Sequence, residues 1–177
     1  NLELAGEMFD GWLAIFYAPE FASELTASIA AGRERAGKTM AGFDVVPTVP
    51  VLLGDDIEAC AEPLRAYASL YIGGMGSREQ NFYNRLATRM GYGEAAATIQ
   101  DLYLARDYAG AGAAVPLDFI DRTSLIGPPA RVQDRLQAYA DSGVTTLTIA
   151  SYAGTLEERI ATVRAMAEIA DAAGVVS

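Results

Sequence analysis

The sequence predicts an α/β fold in which a parallel β-sheet is covered by helices. Four short apolar segments of strand length alternate with amphipathic helical segments, an order typical of parallel strands joined by right-handed crossovers. The chain has 177 residues, of which 51% are hydrophobic and 20% are charged, and this balance is typical of one globular domain. Four strands suit either a small open sheet or the second half of a (β/α)8 barrel. Because the chain opens at Asn1 without an initiator methionine, we expect upstream residues to be missing, which favours the half barrel.

Composition excludes several classes of function. The chain carries 13 Lys and Arg against 23 Asp and Glu, a formal net charge of −10, which argues against a nucleic-acid partner. It has no histidine and one cysteine, so histidine-dependent hydrolysis, histidine-ligated metals and a disulfide framework are excluded, and we expect no metal site. No apolar run reaches the roughly 18 residues of a membrane span. An enzyme built on this chain must therefore use carboxylates, tyrosines, a bound cofactor or residues from elsewhere.

The first elements are a helix, a strand and a second helix. Asn1 is the candidate N-cap of a helix that runs to about Met8. Residues 12–17 form a short apolar run, which is typical of a strand buried on both faces. Pro19 opens the second helix. The apolar face of that helix repeats every four residues and comprises Phe21, Leu25 and Ile29.

The second strand is predicted over residues 45–53. Because prolines lack the N–H donor of a ladder, Pro47 and Pro50 should delay its pairing until about Thr48. The acidic pair at 55–56 then caps another helix.

Helical signals continue through the middle of the chain. Pro63 falls inside the helix just described, and we expect it to kink or split that helix. Residues 73–114 carry no strand signal. Within them, a capping box at 77–80 predicts a helix start, and residues 94–108 predict another helix. The small residues at 109–114 predict a hinge.

The last part of the chain alternates again. Residues 124–127 predict a very short strand, and the prolines at 128–129 open a helix with Val132, Leu136 and Tyr139 on one face. Residues 144–150 predict the fourth strand. A second capping box at 155–158 opens the last helix. Its predicted buried stripe comprises Leu156, Ile160, Val163, Ala167 and Ala170.

Several of these segments resemble the luciferase-like flavin and deazaflavin oxidoreductases. NLELAGE (1–7) and DGWL (10–13) resemble the helix and strand that follow the fourth barrel strand of that family. YIGGMGSRE (71–79) with NFY (81–83) is similar to the actinobacterial branch assigned to coenzyme F-420, a deazaflavin hydride carrier. Three further segments resemble the same branch, namely IQDLYL (99–104), LIGPP (125–129) and GVTTL (143–147).

The resemblance implies a (β/α)8 TIM barrel, of which residues 1–177 would be roughly the second half as a single domain. It further implies a helical insertion at about 73–114, outside the barrel wall at the ligand end. The whole protein would transfer a hydride between coenzyme F-420 and a small organic substrate in the cytoplasm, as a homodimer. The alternative is that the whole protein uses FMN and is a monooxygenase of the same fold. A non-catalytic half barrel that serves binding or dimerisation is the alternative of another class.

The resemblance also implies where the cofactor binds. In the family, the cofactor phosphate meets backbone N–H groups at the loop after the fourth barrel strand, and Asn1 and Leu2 represent the edge of that loop here. A plain N-cap at Asn1 is the alternative. The residues that grip the ring, and the catalytic residues, are expected mostly in the other half of the barrel. We therefore expect the isolated chain to be inactive.

Four residues are candidates for a substrate pocket. Ile15 and Tyr17 close the first predicted strand, at the barrel end where ligands bind, and packing in the core is the alternative for them. Arg78 stands beside a glycine-rich turn at 73–76, which predicts an anion-binding nest or a lid, with a flexible turn as the alternative. Tyr152 follows the last strand and lies either at the pocket mouth or in a packed loop.

Overall fold

The computed structural model describes residues 1–175 and has parallel strands alternating with helices, so the predicted α/β class is confirmed. The first part of the chain forms α1 (Leu2–Met8), β1 (Gly11–Ala14), α2 (Ala22–Arg35) and β2 (Asp44–Leu53). The middle part forms α3 (Ile57–Ser69), α4 (Phe82–Ala87), α5 (Gly93–Leu104), α6 (Tyr108–Ala113) and α7 (Leu117–Arg122). The last part forms β3 (Leu125–Gly127), α8 (Pro129–Asp141), β4 (Thr148–Ser151) and α9 (Leu156–Ala173). Short irregular helical turns, one 3-10 and two π-helical, lie at Pro19–Phe21, Leu70–Gly74 and Thr88–Tyr92.

The chain divides into two compact units. The first, called the sheet unit, comprises Asn1–Leu53 and residues 123–175 of the described chain, and it contains β1 to β4 with α1, α2, α8 and α9. The second, called the helical unit, comprises Gly54–Arg122 and contains α3 to α7. The predicted insertion at 73–114 lies inside the helical unit, is described throughout and contains no strand, so its helical character is confirmed. No helix of the described residues is long and apolar enough to cross a membrane.

The sheet is built around β2 and is parallel throughout. β1 pairs with the start of β2 (residues 44–47), β4 with its middle (48–51) and β3 with its end (51–53). In a complete (β/α)8 barrel each strand pairs with the next one along the chain, whereas here β4 pairs with β2. β3 has only 3 residues and β2 has 10, so β4 pairs mostly with residues of β2 that β3 does not reach, and the two ladders share only Val51.

The two prolines of β2 do not delay its pairing. The ladder begins at Asp44, so the expectation that it would begin near Thr48 is wrong. Pro47 is the last residue of β2 that pairs with β1, and Pro50 directly precedes the first residue that pairs with β3. Pro47 therefore lies where β2 changes its partner from β1 to β4, whereas Pro50 lies within the part of β2 that pairs with β4, opposite Ala150.

Two strands are shorter than the sequence predicts. β1 ends at Ala14, because Phe16 takes a φ of 53°, which lies outside extended backbone, and the rest of the predicted run leaves the sheet. β4 begins only at Thr148. Before it, Thr145 donates its N–H to the carbonyl of Val45 (3.1 Å), and its hydroxyl accepts from the N–H of Val45 (3.0 Å). The segment that leads into β4 thus meets β2 partly through a side chain, which interrupts regular pairing.

Helix α3 continues through Pro63, so of the two expected effects of this proline a split is wrong, and a kink stays a prediction. The carboxylate of Asp56 caps the helix and accepts from the N–H groups of Glu58 (3.0 Å) and Ala59 (3.1 Å). Packing of the apolar face outweighs the hydrogen bond that an interior proline removes. That buried face comprises Cys60, Ala61, Leu64 and Ala68.

Other boundaries in the helical unit also differ. Helix α4 begins after Asn81, whose side chain caps it, rather than after the predicted box at 77–80. The predicted helix at 94–108 is divided, because Arg106 adopts a left-handed φ of 66°. The predicted hinge at 109–114 falls largely within α6, where Ala111 and Gly112 are buried. The small residues here lie in a regular, partly buried helix, and a hinge at this segment stays a prediction.

The core of the sheet unit joins the strands to the helices that cover them. Helix α8 buries the face that its sequence predicts, namely Val132, Leu136 and Tyr139. Helix α2 likewise buries Leu25 and Ile29. From the strands, the core receives Ala14, Val45, Val49, Val51 and Leu125.

Of the stripe that its sequence predicts, helix α9 packs only Ala170 against the core, and the other members are exposed. Its buried residues are Thr162, Met166 and Ile169. Leu156, Ile160 and Val163 are instead exposed over 75%, 44% and 54% of their surface. The prediction is wrong because the helix has two apolar faces, and the helical period alone does not say which of them meets the core.

Candidate functional site

The carboxyl ends of β2 and β4 frame a cavity of about 380 Å³ in the sheet unit. In α/β folds, ligands bind at this end of parallel strands. The N–H of Tyr152 donates to the carbonyl of Val51 at 3.0 Å and holds the segment after β4 against β2. The cavity is lined by Leu52, Leu53, Ala153, Gly154, Glu158, Ala161, Thr162 and Ala165.

The carboxylate of Glu158 is fixed at the start of α9. It accepts from the N–H of Thr155 at 2.8 Å and from the hydroxyl of Thr155 at 2.9 Å, while that hydroxyl accepts from the N–H of Glu158 at 3.2 Å. This is the capping box that the sequence predicts. The backbone hydrogen bond from Thr155, followed by the side-chain one, lowers the pKa of the Glu158 carboxyl.

The fixed carboxylate decides which groups the cavity accepts. A helix amino end ordinarily attracts anions, because its free N–H groups carry roughly half a positive charge. Here the ionised Glu158 already occupies that end of α9. The rest of the lining is mostly apolar, apart from the hydroxyl of Thr162, which donates to the carbonyl of Glu158 at 2.9 Å. The cavity therefore suits an uncharged or hydrogen-bond-donating organic group and disfavours a phosphate.

Tyr17 lies in the core of the sheet unit, with 1% of its surface exposed. Its ring is 6.1 Å from that of Trp12 and 5.9 Å from that of Tyr139, measured between ring centroids. Its hydroxyl lies 3.0 Å from the hydroxyl of Ser142, and its carbonyl accepts from the hydroxyl of Tyr139 at 3.1 Å. Burial is the main reason that the pKa of the Tyr17 phenol is raised. A role for Tyr17 in substrate contact stays a prediction.

Ile15 and Tyr152 lie beyond the carboxyl ends of their strands. Ile15 is half-buried and follows β1 directly, and Phe16 beside it combines a buried side chain with the positive φ described above. Non-glycine residues in this conformation cost about 1–3 kcal/mol and occur often at functional sites. Tyr152 is half-buried and adjoins Ala153 of the cavity lining. Contact of either residue with a substrate stays a prediction.

Asn1 and Leu2 form the amino end of α1. Within the described residues, the side chain of Asn1 makes no capping hydrogen bond, while its carbonyl accepts from the N–H of Ala5 at 2.9 Å. Leu2 is partly buried and packs against the core of the sheet unit. The cofactor phosphate contact at this helix end stays a prediction.

Arg78 belongs to the helical unit, and 53% of its side chain is exposed. Its guanidinium forms an ion pair with Asp101 of α5, and its carbonyl accepts from the amide of Gln100 at 3.4 Å. The pairing with Asp101 reduces the positive charge that an anion nest would use. Anion binding by Arg78 therefore stays a prediction with a weaker physical basis.

The glycine-rich turn beside Arg78 packs tightly. A Cβ on Gly73 would lie 2.5 Å from the Cβ of Tyr103, and a Cβ on Gly74 would lie 2.4 Å from its ring. Contacts this short do not occur between real side chains. Both glycines are therefore required by the close approach of Tyr103, and not only by the flexibility that the sequence indicates.

A pair of asparagines that sequence reasoning missed holds this turn. Asn81 is 1% exposed, and its amide donates to the carbonyls of Tyr71 and Ile72, both at 2.9 Å. Asn84 donates to the carbonyls of Ile72 (3.2 Å) and Ala96 (2.8 Å). The carbonyls of Tyr71 and Ile72 lie in the π-helical turn Leu70–Gly74, and that of Ala96 lies in α5. The signal in the sequence was two asparagines three residues apart at a helix start.

Comparison with known proteins gives a family match over most of the chain. Residues 1–146 match the family described as luciferase-like monooxygenase. A Mycobacterium tuberculosis protein described as a coenzyme F-420-dependent oxidoreductase is 29% identical over 160 residues, which cover 89% of this chain and 46% of that protein.

Three solved structures share the fold. The coenzyme F-420-dependent tetrahydromethanopterin reductase of Methanopyrus kandleri has a TM-score of 0.71 and 22% identity, over 92% of this chain and 45% of that one. An F-420-dependent secondary alcohol dehydrogenase in complex with an F-420–acetone adduct has a TM-score of 0.66 and 14% identity, over 92% and 43%. The EDTA monooxygenase of a Chelativorans species has a TM-score of 0.58 and 15% identity, over 99% and 45%. This chain thus spans about half the length of the proteins that it matches.

Proposed function

Because the chain belongs to the luciferase-like monooxygenase family and has the fold of half its barrel, we propose that it is the carboxyl-terminal half of an F-420-dependent oxidoreductase. The observation that carries this proposal is the match to the Mycobacterium tuberculosis protein over 89% of the chain. The two solved F-420-dependent enzymes with TM-scores of 0.71 and 0.66 support it through the fold.

Coenzyme F-420 supplies hydride transfer when it is bound, and the residues of this chain supply binding and the exclusion of water. The amino end of α9 does not fit a cofactor phosphate, because the carboxylate of Glu158 is already there. The amino end of α1 fits better, since the side chain of Asn1 leaves the first-turn N–H groups uncapped. The apolar wall formed by Leu52, Leu53 and Ala161 would exclude water from a small organic substrate.

An FMN-dependent monooxygenase is the second candidate. The family is named for monooxygenases, and the EDTA monooxygenase shares the fold with a TM-score of 0.58. The Mycobacterium tuberculosis relative, which aligns over 89% of this chain, is described as F-420-dependent, and this favours F-420 over FMN. A small organic substrate and a cytoplasmic location belong to the same proposal.

The test is a fluorescence titration of the full-length barrel protein that contains this chain, because a first half taken from a relative would bring that relative's ring-binding residues. We expect the full-length protein to bind F-420 and not FMN. Binding of FMN alone favours the monooxygenase. A full-length protein that folds, by circular dichroism, but binds neither cofactor contradicts both assignments and favours a non-catalytic role for this half barrel.

A matched pair of variants at Leu2 tests the phosphate contact within the same titration. Leu2→Pro deletes one N–H at the first helical position, where proline is tolerated. Leu2→Ala removes the side chain but keeps that N–H. If the N–H binds the phosphate, Leu2→Pro weakens F-420 binding about tenfold relative to Leu2→Ala, as expected for a hydrogen bond to a charged group. Equal affinities of the two variants place the phosphate elsewhere.

A further inference from the structure

The helical unit contains a cavity between α3 and α6, called the α3–α6 cavity, with a volume of about 470 Å³. This volume lies within the range of roughly 300–1,000 Å³ that is typical of sites for small molecules. Both helices belong to the helical unit, so the cavity lies wholly within it. The cavity is lined by Glu62, Arg65, Ala66, Tyr108, Ala109, Gly112 and Ala113.

Small residues leave this space open. Ala109, Gly112 and Ala113 lie on one face of α6, because they are three and four residues apart. Gly112 is buried, yet a Cβ on it would meet only atoms of Arg65, at 3.9 and 4.0 Å, which is ordinary contact distance. Close packing therefore does not require a glycine at this position, and the space beside it is free for a ligand.

The charges at the α3–α6 cavity leave an excess of one carboxylate. The Nε of Arg65 donates to the carboxylate of Glu62 at 2.9 Å, and its two terminal nitrogens donate to the carboxylate of Glu58 and the carbonyl of Val115. One cation thus lies between two carboxylates. The side chain of Glu62 is 72% exposed, and among the described residues its Oε1 has no hydrogen-bond partner. That oxygen is available to accept from a ligand.

Tyr108 adds an aromatic surface to the same lining. It is the first residue of α6, which Asp107 caps by accepting from the N–H of Gly110 at 2.8 Å. The ring of Tyr108 lies 4.8 Å from that of Tyr103, measured between centroids, and 55% of the residue is exposed. The face of an aromatic ring attracts a cation within about 6 Å of its centre.

We propose that the α3–α6 cavity binds a small organic ammonium ion with an apolar body. The ammonium group donates to the free oxygen of Glu62, and the apolar body packs between the ring of Tyr108 and the small residues of α6. An anion is disfavoured, because the charge of Arg65 is already paired with two carboxylates and the chain carries a net charge of −10. Within residues 1–175 no three metal-ligating side chains lie together, so the excess negative charge favours an organic cation over a metal ion. This proposal goes beyond the cofactor assignment and holds for either cofactor.

Isothermal titration calorimetry of the full-length protein that contains this chain tests the ligand class. Three probes of similar shape differ in charge, namely phenethylamine, phenethyl alcohol and hydrocinnamate. They are titrated to about 10 mM at low salt, because a single charged contact gives weak binding that salt screens. The amine is expected to bind at least about tenfold more tightly than the alcohol, as for a hydrogen bond to a charged group. Equal affinities for the amine and the alcohol, or preference for the carboxylate, overturn the proposal.

Two variants locate the amine. Glu62→Gln keeps the size of the side chain and removes its charge, and it is expected to weaken amine binding about tenfold. Gly112→Leu fills the open space and is expected to abolish binding, while leucine favours the helix over glycine. The control is Glu94→Gln, which removes a charge from α5 outside the lining and is expected to leave the affinity unchanged.

Circular dichroism checks that each variant folds. If Gly112→Leu does not fold, Glu62→Gln decides alone, because it replaces a largely exposed side chain. An affinity for the amine that a folded variant of the cavity leaves unchanged overturns the proposal. Equal weakening by Glu62→Gln and Glu94→Gln also overturns it, since the net charge of the protein, and not the cavity, would then attract the amine.

Discussion

Gly6 and Gly32 form one crossing of α1 and α2, in which each glycine lies against the backbone of the opposite helix. A Cβ on Gly6 would lie 2.1 Å from the carbonyl oxygen of Ile29, and a Cβ on Gly32 would lie 1.8 Å from that of Glu3. The two helices can approach this closely only because neither glycine has a side chain. This crossing fixes α1, and with it the candidate phosphate contact at Leu2.

We predict that Gly6→Ala and Gly32→Ala each lower the free energy of unfolding. Alanine favours a helix by about 1 kcal/mol over glycine, but the clash with the facing backbone should cost more, about 1–3 kcal/mol net. Urea denaturation measures the change. The control is Gly93→Ala in α5, where a Cβ would meet only Thr88 at an ordinary 3.4 Å and should be neutral or stabilising. Unchanged stability of both crossing variants would show that α1 and α2 can move apart freely.

The buried tyrosine pair of the sheet unit gives a second prediction. Tyr139→Phe leaves the buried carbonyl of Tyr17 without its hydroxyl donor, which should cost about 1–3 kcal/mol of stability. Tyr17→Phe should cost less, about 0.5–1.5 kcal/mol. The reason is that the hydroxyl of Ser142 keeps another partner, the carbonyl of Tyr139 at 2.7 Å. Thermal denaturation of the two variants gives the order, and the reverse order would contradict this account.

The same pair should make the protein unstable in alkali. Burial raises the pKa of both Tyr17 and Tyr139. In the unfolded chain these phenols ionise near pH 10, whereas in the folded chain they stay protonated to higher pH. Their contribution to stability is therefore complete below about pH 10 and is lost as the pH rises above it. Urea denaturation between about pH 8 and 11 should show a smaller loss for Tyr139→Phe than for the wild-type chain, and parallel curves would refute this cause.

Asp118 should contribute on the acid side. The hydroxyl of Tyr92 is the main cause that lowers the pKa of this carboxyl, with help from Arg122, whose Nε lies 2.9 Å away. A lowered pKa stabilises the folded state above the unfolded pKa, and this stability is lost as the pH falls through the folded value. Asp118→Asn should therefore reduce the loss of stability between about pH 5 and 2. Asp134→Asn, at an exposed position of α8, serves as the control.

The features that the sequence predicted correctly depend on residues that lie close together in the chain. The alternation of strands and helices gave the α/β class, and the threonine and glutamate at 155 and 158 gave the capping box, because the interacting groups are three residues apart. The buried face of α8 was also predicted correctly, from the helical spacing of its apolar residues. In contrast, the sequence predicted a helix start at 77–80, whereas the helix begins after Asn81, whose buried amide donates to the carbonyls of Tyr71 and Ile72.

Long-range contacts account for most of what the sequence did not predict. Two faces of α9 are apolar, and only packing against the sheet and α8 determines which one is buried. The charge of Arg78 is paired by Asp101, which lies 23 residues further along the chain. Tyr17 was assigned to a pocket from its position after a strand, but its neighbours in the core are Tyr139 and Ser142, more than 120 residues away.

The last prediction concerns cofactor binding by the 177-residue chain alone. Of the proposed cofactor contacts, this chain offers only the first-turn N–H groups of α1, beside Asn1 and Leu2. An exposed electrostatic contact at a helix end contributes about 0.3–1 kcal/mol, whereas even a micromolar complex requires about −8 kcal/mol. Fluorescence titration of the chain alone should therefore detect binding of neither F-420 nor FMN. Micromolar binding would mean that the site lies wholly within this chain, and variants of Tyr17, Arg78 and Tyr152 would then be the ones that locate it.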